Sequence, residues 1–199
     1  MRIIAGKFRS RQLHSLKKLT LRPTSDRLRE TLFDVLGNLV IDARFVDLFA
    51  GTGAVGIEAL SRGASEVIFI EKHPPTMVLL KKNLESLEIR SGVRMITKDA
   101  LHALDQLANE PSAATARISM LFLDPPYAER SQYSEILSFL GESCLLAEGA
   151  VVIAEHLRSF DLPETFGNLE QVRVLRQGDA ALSFYRYRPP NQPETSRSE

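Results

Sequence analysis

From residue 44 onward the chain alternates between short runs that are apolar at nearly every position and longer stretches that are apolar at every third or fourth. The runs are RFVDLF (44–49), EVIFIE (66–71), VRMIT (93–97), SMLFLD (119–124) and GAVVIAEH (149–156). Runs so short and so continuous predict strands covered on both faces, as in a parallel sheet. Between them GAVGIEALSRG, PPTMVLLKKNLESLEI, DALHALDQLAN and SQYSEILSFLGESCLL each carry an apolar stripe at helical spacing. Pro74 and Pro75 fit the first turn of the second helix, where a missing amide donor costs nothing. Strand and helix in alternation predict a doubly wound, mostly parallel α/β sheet.

Both ends depart from this rhythm. LEQVRVLRQGDAALSFYRYR reads as two strands around QGDA, so an antiparallel hairpin is expected to close a sheet of seven strands. At the front, RIIAG and RQLHS predict a small ribbon around Gly6. LRPTSDRLRETLFDVLGNL follows as an amphipathic helix, capped by Thr24 or Ser25 after Pro23. The expected division is a basic N-terminal ribbon over 1–22, a main domain over 23–188 and a tail over 189–199. That tail, PPNQPETSRSE, has no apolar residue and is expected to be disordered.

Composition adds boundaries to this picture. A chain of 199 residues with 44% hydrophobic and 25% charged positions can build one full core. No apolar run approaches the roughly 18–20 residues of a membrane span, and MRIIAGKFRSRQLHS lacks a secretory signal, so a cytoplasmic protein is expected. The single cysteine, Cys144, excludes an internal disulfide and a cysteine-based zinc site, and its apolar neighbours predict a buried thiol. His14, His73 and His102 have no ligand-like spacing, so no metal is expected. Nothing demands a dimer, and a monomer is expected.

The formal net charge is zero, but it is unevenly spread. The first thirty residues hold Arg2, Lys7, Arg9, Arg11, Lys17, Lys18, Arg22, Arg27 and Arg29 against only Asp26 and Glu30. Basic charge gathered at one end predicts contact with a polyanion. Charge alone does not separate RNA from DNA or an anionic membrane. Arg29 is expected to face solvent.

VDLFAGTGAVGIEAL places Gly51, Gly53 and Gly56 between a strand and a helix, in the pattern G-x-G-x-x-G, with Glu71 twenty residues after Gly51. That predicts a nucleoside-bearing cofactor, with the Glu71 carboxylate on the ribose hydroxyls; the competing reading is a tight turn with glycines for packing only. A dinucleotide would set its pyrophosphate against the helix N-terminus, where the carboxylate of Asp47 is unhelpful. Asp47 instead suits a cationic ligand such as S-adenosylmethionine. Asp99, opening the helix after the third strand, is placed either to accept from an adenine amino group or simply to cap.

LFLDPPY (121–127) ends a strand on a carboxylate and two prolines. An exocyclic amine is a poor nucleophile until acceptors draw its N–H groups aside and aim its lone pair. Asp124 and the Pro125 carbonyl are expected to be those acceptors; the prolines fix the backbone and donate no competing N–H. Tyr127 offers a face on which a flipped-out base can stack.

DPPY resembles the (D/N)PP(Y/F) motif of amino-methyltransferases. With MRIIAGKFRSRQL, LRPTSDRLRETLFDVL and DLFAGTGAVGIEALSRGA, the chain resembles the RsmD family of bacterial 16S rRNA guanine-N2 methyltransferases over most of its length. The resemblance implies a class I, Rossmann-like fold, S-adenosylmethionine as methyl donor and S-adenosylhomocysteine as product. It implies 16S rRNA, in the small ribosomal subunit or an assembly intermediate, as partner. Asp124, Pro125, Pro126 and Tyr127 would form the base-and-methyl site. Asp47, Phe49, Ala50, Gly51, Thr52, Gly53, Glu71, Lys72, Asp99 and Ala100, with Asp124, would hold the cofactor. Arg2, Lys7, Arg9, Arg11, Lys17, Lys18, Arg22 and Arg27 would face the RNA.

Two details stay open. Thr24, Asp26 and Arg27 lie either near the sulfonium end of the cofactor or in a cap with RNA-facing charge. Glu155 and His156, at the end of the fifth strand, read either as a satisfied structural pair, the favoured reading, or as a catalytic one. Alternatives with the same chemistry are methylation of adenine N6 in DNA or of a protein glutamine. A nicotinamide-dependent oxidoreductase fits the glycines but leaves Asp47 and DPPY without purpose.

Overall fold

The computed structural model describes residues 1–15, 24–111, 115–126 and 129–190. The expectations for Lys17, Lys18, Arg22, Pro23, Tyr127 and most of the tail fall outside those residues.

Five parallel strands form the core of the sheet: β1 (Arg44–Leu48), β2 (Glu66–Ile70), β3 (Val93–Ile96), β4 (Ile118–Leu123) and β5 (Leu146–Leu157). Three antiparallel strands extend it: β6 (Thr165–Phe166), β7 (Leu169–Gln177) and β8 (Ala180–Tyr187). The order across the sheet is β3-β2-β1-β4-β5-β8-β7-β6. Among the described residues the sheet therefore has eight strands where periodicity predicts seven. The additional one, β6, pairs only two residues, Thr165 and Phe166 with Glu170 and Leu169, too few to leave a repeating pattern.

Helices cover both faces. α1 (Asp26–Leu36), α2 (Ala54–Ser61) and α3 (Pro74–Ser86) bury Leu28, Leu32, Phe33, Ile57 and Leu80 against Phe45, Phe69, Phe122 and Ile153. α4 (Ala100–Ala108) and α5 (Ser131–Glu142) bury Leu104, Ile136 and Leu137 against Val46, Ile68, Leu121 and Val152. Successive strand residues point to opposite faces, so parity along each strand decides which layer a side chain joins. A 3-10 turn, Gly37–Val40, links α1 to β1. Among the described residues, no helix is long and apolar enough to cross a membrane.

The N-terminal residues form the expected ribbon around Gly6. Arg2 bridges Gln12, and the Ile3 amide donates to the Arg11 carbonyl (3.0 Å). Gly6 has φ +78°, and a Cβ there would lie 1.8 Å from the carbonyl oxygen of Ser61, so only glycine fits against α2. The ribbon is clamped rather than loose. Glu58, fully buried on α2, accepts from the amides of Ile4 (2.8 Å) and Ala5 (3.0 Å). The Ser61 hydroxyl accepts from the Phe8 amide (2.9 Å), and Asn83 of α3 accepts from the His14 amide (2.7 Å).

Two expectations about single residues are corrected. Arg29 does not face solvent. It is fully buried, donating to the Arg2 carbonyl (2.5 Å) and Asp26 (3.0 Å), with its Nε 3.8 Å from Glu58. Cys144 is exposed, not buried: α5 ends at Glu142, and in the extended link that follows Leu145 turns inward while Cys144 turns out.

Candidate active site

The crevice lies at the C-terminal ends of the parallel strands, where the order reverses between β1 and β4. Asp47 of β1 stands beside Phe122 of β4, which stands beside Ile153 of β5. Asp124 and Glu155 each lie two residues further on. All three carboxyls therefore project from one face, Asp124 and Glu155 at the same level and Asp47 one step, about 6.6 Å, below. Glu71, the residue after β2, follows Phe69, the β2 partner of Asp47.

Four acidic side chains thus line one sheet end, and burial raises the pKa of two of them. Burial pushes the Asp47 carboxyl up to about 8; its bond from the Gly56 amide opposes this and the charge of Glu71 adds to it. Asp124 is half-buried, and loss of hydration raises its pKa well above the usual carboxylate range, with the charges of Glu155 and Asp47 adding. A crevice of this kind favours a cation.

The glycine turn is built around the same acids. Asp47 accepts from the Gly56 amide (2.8 Å) at the start of α2. Glu71 accepts from the amides of Gly51 (3.1 Å) and His73 (2.9 Å), tying the turn to the start of α3. Gly53 caps α2 in the left-handed region at φ +80°, and a Cβ there would lie 2.1 Å from Leu80 Cδ1. Phe49 also has positive φ, +69°, an uncommon strain for a bulky residue and one that clusters at functional sites. Asn83 donates to the Thr52 carbonyl (2.9 Å) and to the His14 carbonyl (3.2 Å), so one buried amide joins the turn to the ribbon.

Beside the turn, a shallow cleft is lined by Phe49, Ile70, Glu71, Lys72, Lys98 and Ala100. Four of these are expected cofactor residues; Ile70 and Lys98 carried no sequence signal of their own. Asp99 caps α4 by accepting from the Leu101 amide (3.1 Å). The Lys72 ammonium pairs with Glu129 (3.0 Å), from the segment after Pro126. The Pro126 carbonyl accepts from the Glu129 amide (2.8 Å).

Thr24 reaches this site and Arg27 does not. The Thr24 hydroxyl donates to Glu155 (2.7 Å) in a buried contact, Ser25 is the helix cap, and Asp26 pairs with Arg29 and Arg2. Arg27 is exposed, as are Arg2, Lys7, Arg9 and Arg11 on the ribbon. Glu155 and His156 are not a pair. They are successive strand residues on opposite faces, and His156 meets the Ser183 hydroxyl (2.8 Å) and the Leu157 carbonyl (2.9 Å). Burial lowers the His156 pKa.

Sequence reasoning passed over Glu58 and Asn83. The signal for Glu58 was present: a lone glutamate in the apolar helix AVGIEALS must either face out or be paired.

Known proteins resemble this chain along nearly its whole length. The family model described as conserved hypothetical protein 95 matches residues 1–186. Ribosomal RNA small subunit methyltransferase D of Escherichia coli K12 is 34% identical over 185 residues, 93% of this chain and 89% of that protein. The structure of yhhF, a candidate methyltransferase from Escherichia coli, aligns with a TM-score of 0.80 and 32% identity, covering 94% of this chain and 98% of that one. An RNA methyltransferase from Salinibacter ruber, solved with S-adenosyl-L-homocysteine, shares the fold at 16% identity and a TM-score of 0.61, covering 86% and 97%.

Proposed function

The chain belongs to the RsmD family of ribosomal RNA small subunit methyltransferases, and from that premise we propose that it uses S-adenosylmethionine to methylate the exocyclic N2 of a guanine in 16S rRNA. The observation that carries this reading is the acid-lined crevice around the glycine turn, with Asp124–Pro125–Pro126 at its edge. Buried carboxyls at Asp47 and Asp124 suit a cationic methyl donor and an amine substrate. They offer no countercharge to the pyrophosphate of a nicotinamide cofactor, which disfavours an oxidoreductase.

The residues present fit the donor. The cleft beside Glu71 is apolar on the Phe49, Ile70 and Ala100 sides and ends in a carboxylate whose oxygens retain lone pairs for ribose hydroxyls. Gly51 leaves backbone atoms open to close approach, buried Gly53 lets the turn pack on Leu80, and Asp47 would hold the positive end. S-adenosylmethionine, when bound, supplies a methyl group on an electron-poor sulfonium.

The chain's own contribution is positioning. Asp124 and the Pro125 carbonyl would accept the two amine N–H bonds, drawing the nitrogen lone pair out of the ring and towards the donor. Proline at 125 and 126 holds those acceptors at fixed backbone angles. Asp124 would then take the proton that nitrogen sheds. Correct placement of reacting groups carries most of the rate enhancement in such a scheme. The exposed Arg2, Lys7, Arg9, Arg11 and Arg27 would meet RNA phosphates.

Methyl label from S-adenosylmethionine should enter small-subunit rRNA, appear as N2-methylguanosine on nucleoside analysis, and be lost with Asp124→Ala. Label recovered as N6-methyladenine in DNA, as methylglutamine, or at an undiminished level with Asp124→Ala would overturn the reading.

A further inference from the structure

One buried acid in the crevice has no part in that scheme. Glu155 is 4% exposed, stands in the strand next to Asp124, and projects from the same face. Leu123 and Ala154 are paired in register, so the two acids are successive neighbours whose Cα atoms lie about 5 Å apart. Glu155 is held from two sides. The Thr24 hydroxyl donates to its Oε2 (2.7 Å), and the Tyr133 hydroxyl donates to its backbone carbonyl (2.6 Å). Thr24 lies in the segment that leads into α1, 131 residues away in sequence, so a separate element reaches across the sheet end to grip this carboxyl.

We infer that Glu155, held by Thr24, is a positioning residue for the methyl transfer proposed above, acting through Asp124 by placing a second buried carboxyl beside it. The inference rests on that functional reading. Two adjacent carboxyls in a poorly hydrated crevice do not both lose their protons easily. A hydroxyl donor stabilises the charged form of its acceptor, so Thr24 keeps the charge on Glu155 and leaves the proton with Asp124. The groups facing Asp124 reinforce this: Asp47 comes from β1, Glu155 from β5, and Glu71 stands behind Asp47 from β2. The buried cation of α1, Arg29, is turned towards Asp26 and Glu58. As a charged carboxylate Asp124 is the stronger acceptor for an amine N–H and can take the proton nitrogen sheds. The acid limb of the pH–rate profile therefore follows Asp124, and Glu155 sets where it falls.

The test combines carboxyl carbon NMR titration of the free protein with pH–rate profiles on small-subunit RNA. In Glu155→Gln the like charge is gone, and both the Asp124 midpoint and the acid limb should move down by about one pH unit or more. Thr24→Val should move them the same way by less, because Glu155 then competes for the proton; Thr24→Ser should restore the wild-type position. An Asp124 midpoint that stays put in Glu155→Gln overturns the inference, even if turnover falls. Should Glu155→Gln not fold, the contrast between Thr24→Val and Thr24→Ser decides it, and equal midpoints refute it. Failure of the wild-type protein to methylate RNA would instead overturn the functional reading, and the titration would still decide the role of Glu155.

Discussion

Replacing Glu58 by glutamine should cost the protein a large part of its stability and loosen the ribbon first. The carboxylate accepts from the Ile4 and Ala5 amides, pairs with Arg62 at 2.8 Å, and lies 3.8 Å from the Nε of fully buried Arg29. An amide oxygen can serve one of those backbone donors; the other would face an NH2 group, at about 1–3 kcal/mol for a donor left unmet. Arg29 would keep Asp26, which is half-exposed, and lose its buried countercharge. Breaking a buried pair from one side costs about 3–5 kcal/mol. The Nε already lacks a hydrogen-bond partner, so the lower end applies. Together these predict about 4–6 kcal/mol, or a fall in Tm of about 8–24 °C for a chain of this size. Thermal unfolding without RNA measures it, and amide exchange should show Ile4 and Ala5 opening before α2. Adding Arg29→Met to Glu58→Gln should cost less than the two changes summed, because no buried charge is then left alone. A Tm within about 2 °C of wild type, or exchange at Ile4 and Ala5 that is unchanged, would refute the clamp.

Other outcomes follow from the same geometry. Folded Asp47 keeps its proton up to about pH 8 against an ordinary value of 3.8, so folding binds a proton between those values and stability from this group declines as pH rises through the window; Asp47→Asn should flatten that decline in urea unfolding of the free protein, and an unchanged pH dependence would contradict the burial argument. Gly53→Ala sets a Cβ against Leu80 at a left-handed position, which should cost about 2–5 kcal/mol and weaken S-adenosylmethionine binding; an unaltered denaturation midpoint would count against it. Neutralising Lys7, Arg9 and Arg11 together should weaken RNA binding and flatten its slope against log salt by about 2, with cofactor affinity unchanged. An equal loss of cofactor affinity would assign the ribbon to the cofactor pocket.

The sheet and its helices were legible because burial on both faces leaves a local signature. Five parallel strands, the closing hairpin and the helices between them all appear within a few residues of where periodicity placed them. The glycine turn and Asp124–Pro125–Pro126 were equally readable, since both depend on residue types that permit or forbid particular backbone angles. Such features are written within a dozen consecutive residues, and the chain alone determined them.

Contacts between distant segments left no comparable trace. Glu58 reads as an ordinary helix residue until the ribbon folds over it, and Asn83 until His14 and Thr52 arrive on either side. Arg29 was expected in solvent because a charge on an amphipathic helix usually is; only the turn of α1 against α2 placed it between Asp26 and Glu58. Glu155 and His156 look like a pair in sequence, yet strand geometry sends one to the crevice and the other to the opposite layer. Their neighbours, Thr24 for the first and Ser183 for the second, come from segments that only the sheet order brings near. Hydration is lost when the layers close, so the raised pKa values of Asp47 and Asp124 belong to the tertiary structure and not to the residues themselves.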